Sequence, residues 1–180
     1  MASATSGLKA ASTPIHPLAV GASNAYIQSM KPRIPPPIIM VLSAALMWAL
    51  SRWLPLNHWI SPPWNRLGAI LIALGVLTIA AAMLRFRQAH TTVNPLDPSK
   101  ATHLVTSGVF SRSRNPMYLG LTLILVGWGV WLGSVSPWII PPLFVIVITT
   151  AQIIPEEQVL NQLFGAPYAA YRQRVSRWIG

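Results

Sequence analysis

The run Leu67–Leu84, LGAILIALGVLTIAAAML, carries no charged side chain from end to end. At ~1.5 Å of rise per residue it is about the length that ~30 Å of hydrocarbon requires, so it reads as a transmembrane helix. Three more runs flank it: Ile38–Leu54 (IIMVLSAALMWALSRWL), Tyr118–Val135 (YLGLTLILVGWGVWLGSV) and Trp138–Ile154 (WIIPPLFVIVITTAQII). Four such runs in 180 residues cannot all be buried by the remaining chain. The predicted fold is therefore all-α, an integral membrane bundle of four transmembrane helices. A C-terminal amphipathic helix follows, because Leu160, Phe164, Tyr168, Tyr171, Val175 and Trp178 recur at three- and four-residue spacing.

Composition agrees. The chain is 53% hydrophobic and 9% charged, against about 25% charged in a typical soluble domain. The net charge of +10 comes from basic residues that flank the apolar runs and form no separate basic face, so nucleic acid is not an expected partner. No cysteine is present, which excludes disulfides, thiolate metal sites and a cysteine nucleophile. His90 and His103 have no partnering carboxylate pattern, so no metal site is expected.

Lysine and arginine placement orients the bundle. Eleven cations fall on the N-terminal tail, the second loop and the C-terminal tail, against Arg52 and Arg66 on the other side. The positive-inside rule then puts both termini and the second loop in the cytoplasm. The eight tryptophans mostly sit near predicted helix ends and read as interfacial anchors. Gly129 and Gly133 form a small-xxx-small spacing that reads as helix packing. Pro141 and Pro142 kink the first turns of the fourth helix or delay its start. Residues 1–33, rich in Ala, Ser, Thr and Pro, read as a disordered cytoplasmic tail, with residues 34–180 as the membrane domain.

Polarity concentrates at two places. Ser111-Arg-Ser-Arg-Asn-Pro-Met-Tyr-Leu-Gly120 leads into the third apolar run, and Pro155-Glu156-Glu157 follows the fourth. Proline followed by acids is a common helix start. Yet these glutamates are two of only three acids in the protein, and the topology returns them to the same membrane face as Arg114–Tyr118. A carboxylate accepts an ammonium or a ribose diol, while Arg and Asn hold a carboxylate, so the pair of clusters suits a zwitterionic, polyhydroxylated ligand. Arg112 reads as a simple anchor.

The segment Leu104-Val-Thr-Ser-Gly-Val-Phe-Ser-Arg-Ser-Arg-Asn-Pro-Met-Tyr-Leu-Gly120, an apolar hairpin, and then Glu156-Glu157-x6-Phe164-Gly165-x2-Tyr168-x2-Tyr171-x3-Val175-x2-Trp178 resembles the isoprenylcysteine carboxyl methyltransferase family and the related phospholipid methyltransferases. The resemblance runs from about Thr91 to the C-terminus. It implies an integral membrane enzyme that binds S-adenosylmethionine on the cytoplasmic side, within residues 91–180, and meets a lipid-soluble acceptor through the bilayer. That acceptor would be a prenylcysteine-like carboxylate or a phospholipid amine. Carried over by position, the cofactor contacts are Thr102, His103, Leu104, Val105, Phe110, Arg114, Asn115, Pro116, Met117, Tyr118, Glu156 and Glu157, with Glu156 preferred over its neighbour.

Two departures from the family pattern matter. The family's Arg-His-Pro stands here as Arg114-Asn115-Pro116, and an amide cannot titrate near neutrality, so position 115 is no general base. The eukaryotic branch has a substrate-contacting arginine about a turn before its glutamates, where this chain has Gln152-Ile153-Ile154. No catalytic residue is assigned. Two other classes compete: an NADPH-dependent membrane reductase of the sterol-reductase type, whose C-terminal motif is similar, and a non-catalytic membrane scaffold.

Overall fold

Prolines and glycines mark where the helices begin and end. The computed structural model describes residues 34–89 and 103–180, all within one compact unit, Lys31–Gly180. The expected tail, residues 1–33, and the loop segment 90–102 lie outside the described residues.

Helix α1 (Pro36–Trp53) starts with proline in its first turn, where a missing N–H costs nothing. A 3-10 turn, Trp64–Leu67, leads into α2 (Gly68–Gln88). Helix α3 (Pro116–Leu132) begins with Pro116 behind Asn115 and ends at Gly133, whose φ of +69° gives a left-handed cap that bonds back to the Gly129 carbonyl. A second 3-10 turn, Ser136–Ile139, precedes α4 (Ile140–Ile148), so the α-helix starts at the prolines, later than Trp138.

The last helix departs from expectation. Pro155 was expected to open a new helix, but the chain stays helical from Ser136 to Phe164, 29 residues in all. A π turn, Thr149–Ile153, joins α4 to α5 (Ile154–Phe164), and the Ile154 N–H reaches back to the Thr149 carbonyl. The wider turn accommodates a proline ring that would clash with a carbonyl in a regular α-helix. Glu156 and Glu157 therefore project from the end of a continuous membrane helix. Past Gly165 comes α6 (Ala166–Arg174), and Val175 is extended, so the helix does not continue to Trp178 as its apolar spacing predicted. Residues 176–180 bond to the Arg112–Asn115 segment instead, as described below.

Pro36–Trp53, Trp64–Gln88 and Ser136–Phe164 are each long and apolar enough to cross a membrane. Only 11% and 17% of the apolar windows of the first two are buried within the protein. Val41, Leu42, Ile70, Leu77 and other large apolar side chains face outward, as a lipid-covered surface requires. The remaining expected span, α3, is apolar but only 17 residues long, and it is the central helix of the bundle. Its Leu121 and Leu125 join Met47, Phe144, Ile148 and Ile153 in the main core.

Helices α2 and α3 pack through a different glycine pattern from the one expected. A Cβ on Gly120 would come within 2.7 Å of the Gly75 carbonyl oxygen, and one on Gly127 within 2.6 Å of the Gly68 carbonyl oxygen. Gly68 and Gly75 thus face Gly127 and Gly120 in antiparallel register, and the backbones nearly touch. Gly129 instead accommodates Met47 and Trp138, and Gly133 is a cap. The glycines that matter lie seven apart, which a four-residue search does not register. Of the tryptophans, Trp48, Trp53, Trp59, Trp64 and Trp131 are exposed as anchors should be. Trp128 is not one of them: its indole N–H donates to the Ala44 carbonyl at 3.1 Å and ties α3 to α1.

Candidate functional site

The two glutamates at the start of α5 have different surroundings. Glu157 is buried between two guanidinium groups: Arg114 Nη2 lies 2.9 Å from Oε1, and Arg177 Nη2 lies 2.7 Å from Oε2. Arg177 Nε adds a bond to Oε1 at 3.1 Å, so the arginine grips the carboxylate with both arms of its fork. That bond holds the Arg177 guanidinium above its ordinary pKa. Glu156, one residue earlier, meets only a neutral partner, the Tyr118 hydroxyl, which donates to Oε1 at 2.5 Å. Among the described residues no cation pairs with Glu156. The charge of Glu157 is thus matched by arginines inside the protein, whereas Glu156 is met by a neutral hydroxyl.

The chain's last residues hold this end together. The Arg114 N–H donates to the Ser176 carbonyl at 3.0 Å, and the Gly180 N–H to the Arg112 carbonyl at 3.4 Å. The Asn115 side-chain amide donates to the Arg177 carbonyl at 3.0 Å. Ser113, fully buried, accepts from the Asn115 N–H at 3.1 Å. Asn115 suits this task, since it supplies an N–H donor without a titrating group. Pro116 is buried in the first turn of α3, and Met117 behind it is half-buried.

Tyr168, Tyr171 and Val175 form a second buried cluster, with Leu104, Leu160 and Phe164 packed against it. The Tyr171 hydroxyl donates to the Phe110 carbonyl at 2.7 Å, and the Phe110 ring meets Phe86 edge-on at 5.0 Å. Burial pushes the Tyr168 phenol up to about 12, with the Glu157 charge adding to it. Burial likewise raises Tyr171, helped by Tyr168.

Leu104 also lines a cavity of about 390 Å³, together with Arg85, Gln88, Ala89, His103, Val105, Thr106 and Ser107. That volume falls in the range of small-molecule sites, about 300–1,000 Å³.

Of the residues the sequence put forward, Thr102 lies outside the described residues. His103, Leu104 and Val105 line the cavity, Phe110 roofs the tyrosine cluster, and Arg114–Tyr118 with Glu156 and Glu157 form the polar end of the bundle. Arg85, Gln88 and Arg177 were missed. All three lie outside the recognisable motifs or read as topological anchors; the i, i+3 spacing of Arg85 and Gln88 at a helix end facing the second loop was the one available signal.

The residues suit a sulfonium-bearing amino-acid nucleoside. A carboxylate without a cationic partner, a nearby tyrosine hydroxyl and a cavity of adequate size are present. In addition, two buried polar atoms flanking the glutamates, Arg114 Nε and Gln152 Oε1, have no partner within the protein.

Apolar helices that expose their side chains outward and end in a cluster of carboxylates, arginines and tyrosine define an integral membrane protein with one polar, ionic end. The phospholipid methyltransferase family model matches residues 64–167, more than half of the chain. The chain belongs to that family. The match covers Arg114–Tyr118 and both glutamates and stops before Tyr168 and Arg177. Protein-S-isoprenylcysteine O-methyltransferases A and B of Arabidopsis thaliana are each 32% identical, over 67% and 66% of this chain. This chain spans 59% of the length of each of those two relatives. An uncharacterized protein of Haemophilus influenzae is 44% identical over its whole length, which covers 35% of this chain. No solved structure matches the chain.

Proposed function

We propose that this protein is an S-adenosylmethionine-dependent methyltransferase acting on a lipid-soluble acceptor, either a prenylcysteine-like carboxylate or a phospholipid amine. The observation that carries the reading is the asymmetry of the glutamates. Glu157 is neutralised by Arg114 and Arg177, while Glu156 has no cationic partner among the described residues and accepts a hydrogen bond from the Tyr118 hydroxyl. The family and the names of the Arabidopsis relatives support methyl transfer as the chemistry. Bound S-adenosylmethionine supplies a methyl group on a positively charged sulfur, which leaves as a neutral thioether.

The protein's own contribution is alignment and exclusion of water, worth up to about 7–11 kcal/mol in well-oriented reactions. Glu156, oriented by Tyr118, would hold the donor's ammonium or ribose diol. His103, Leu104 and Val105 would line its remaining surface, and the donor-binding region extends upstream of residue 91 to Arg85. Asn115 fixes the Arg114–Pro116 turn and takes no proton. The termini and the ligand-binding end face the cytoplasm in this reading, with eleven of the thirteen cations on that side. The absence of native cysteine makes that orientation directly testable. A single cysteine at Arg174 should label from the cytoplasm and one at Leu56 from the opposite side; the reverse pattern refutes the orientation.

Titration of the detergent-solubilised protein tests the chemistry. Wild type should bind S-adenosylmethionine and not NADPH, and Glu156→Gln should weaken that binding about tenfold through loss of one charged hydrogen-bond acceptor. Unchanged affinity in Glu156→Gln would overturn the site, and a preference for NADPH would overturn the reaction.

A further inference from the structure

Two arginines, Arg85 and Arg87, close the last turn of α2. Both sit where a cation favours the helix dipole and anchors a membrane helix. Only Arg85 lines the cavity. Its side chain lies over Gly108, which adopts φ +66°, and a Cβ on that glycine would collide with the guanidinium. The loop backbone is shaped to leave room for this one cation. Within the protein Arg85 makes a long 3.4 Å bond to the Gln88 side-chain oxygen, and among the described residues no carboxylate pairs with it. Arg114 and Arg177, by contrast, are both engaged with Glu157. A planar fork of N–H donors without an acid partner is suited to binding an oxyanion. It shares the cavity wall with the donors and acceptors of Gln88, Thr106 and Ser107.

We propose that Arg85 is the anion-recognising residue of this cavity, binding a carboxylate or phosphate oxyanion of the ligand that enters it. The proposal rests on the methyl-transfer reading, in which two molecules carry such a group: the donor has a carboxylate at its amino-acid end, and a phospholipid acceptor has a phosphate. In either case Arg85 would select against ligands that lack the oxyanion.

The test is direct binding to detergent-solubilised wild type, Arg85→Gln, Arg85→Lys and, as a control of equal charge change at the same helix end, Arg87→Gln. The probes are S-adenosylmethionine, its decarboxylated analogue, and the lipid pair phosphatidic acid and diacylglycerol. If the donor carboxylate is the target, Arg85→Gln loses about tenfold for S-adenosylmethionine and almost nothing for the decarboxylated analogue. If the lipid phosphate is the target, the same loss falls on phosphatidic acid and not on diacylglycerol. Arg85→Lys should restore part of the loss in either case, because it keeps the charge without the fork. The proposal is overturned if Arg85→Gln affects each probe and its oxyanion-free counterpart equally, or affects neither, or if Arg87→Gln matches it. Wild type that binds no S-adenosylmethionine would refute the methyl-transfer reading, and the phosphatidic acid arm would still decide the role of Arg85.

Discussion

The two ends of the bundle are closed in different ways. At one end the first and third loops meet by backbone bonds: the Trp59 N–H donates to the Gly133 carbonyl at 3.0 Å and the Val135 N–H to the Asn57 carbonyl at 2.9 Å. Trp59 and Trp138 meet edge-on above them at 5.5 Å. At the other end, Arg114, Glu157 and Arg177 form a buried ionic cluster beside Glu156. Backbone bonds and aromatic rings are enough to join two loops. The ionic end carries desolvated charges that cost several kcal/mol each unless matched. These charges are gathered at one end among the described residues, with Glu157 as the internal counter-ion of two arginines and Glu156 without a cationic partner.

The contrast yields graded expectations. Glu157→Gln removes the counter-ion of two arginines, and the resulting uncompensated charge should cost on the order of 3 kcal/mol. Thermal unfolding in detergent measures it; a loss no larger than that of Glu156→Gln would refute the division of labour between the two acids.

Gly120→Ala should follow, at about 1–3 kcal/mol, because the new methyl meets the Ile79 side chain at 2.6 Å and a rigid carbonyl at 2.7 Å. Gly129→Ala is its control. The nearest atom there is the tip of Met47 at 3.2 Å, a flexible group that can give way, so this variant should unfold close to wild type. Equal destabilisation by the two would refute the seven-residue glycine seam.

The smallest effect is on pH dependence. Burial raises Tyr168 to about 12 from its ordinary 10.0, so folding favours the neutral phenol. Its contribution is complete below pH 10 and declines as pH climbs from 10 through 12, because the unfolded chain ionises first. Tyr168→Phe should flatten this part of the stability profile. The tryptophan-closed end holds no such group, so a wild-type profile unchanged by the substitution would show that the alkaline decline arises elsewhere.

Much of this was legible in the linear chain. Apolar run length identified the first three helices to within a few residues and the start of the fourth, though not its end at Phe164, and the polar segments Arg114–Tyr118 and Glu156–Glu157 stood out because charges are so scarce. The π turn was not legible. Pro155 followed by two acids looks locally like a helix start, yet the helix continues through it, with Ile148 just before the π turn and Ile153 at its end packed into the core. The helix end was misplaced for a related reason: the spacing to Trp178 is helical, but the backbone groups of residues 176–180 find partners on the Arg112–Asn115 segment.

By itself, then, the sequence determined that this is a membrane protein, where its helices begin, and which few polar residues interrupt its apolar pattern. Hydrophobic length and charge are properties of short segments and need no partner to be read. The tertiary structure alone decided which glutamate is paired with arginines, that Arg177 joins Arg114 on Glu157 and Arg85 lines a cavity, and that Gly68 and Gly75 face Gly127 and Gly120. Each of these depends on groups far apart in the chain being brought within a few ångströms, and ion pairing and close packing exist only at that range.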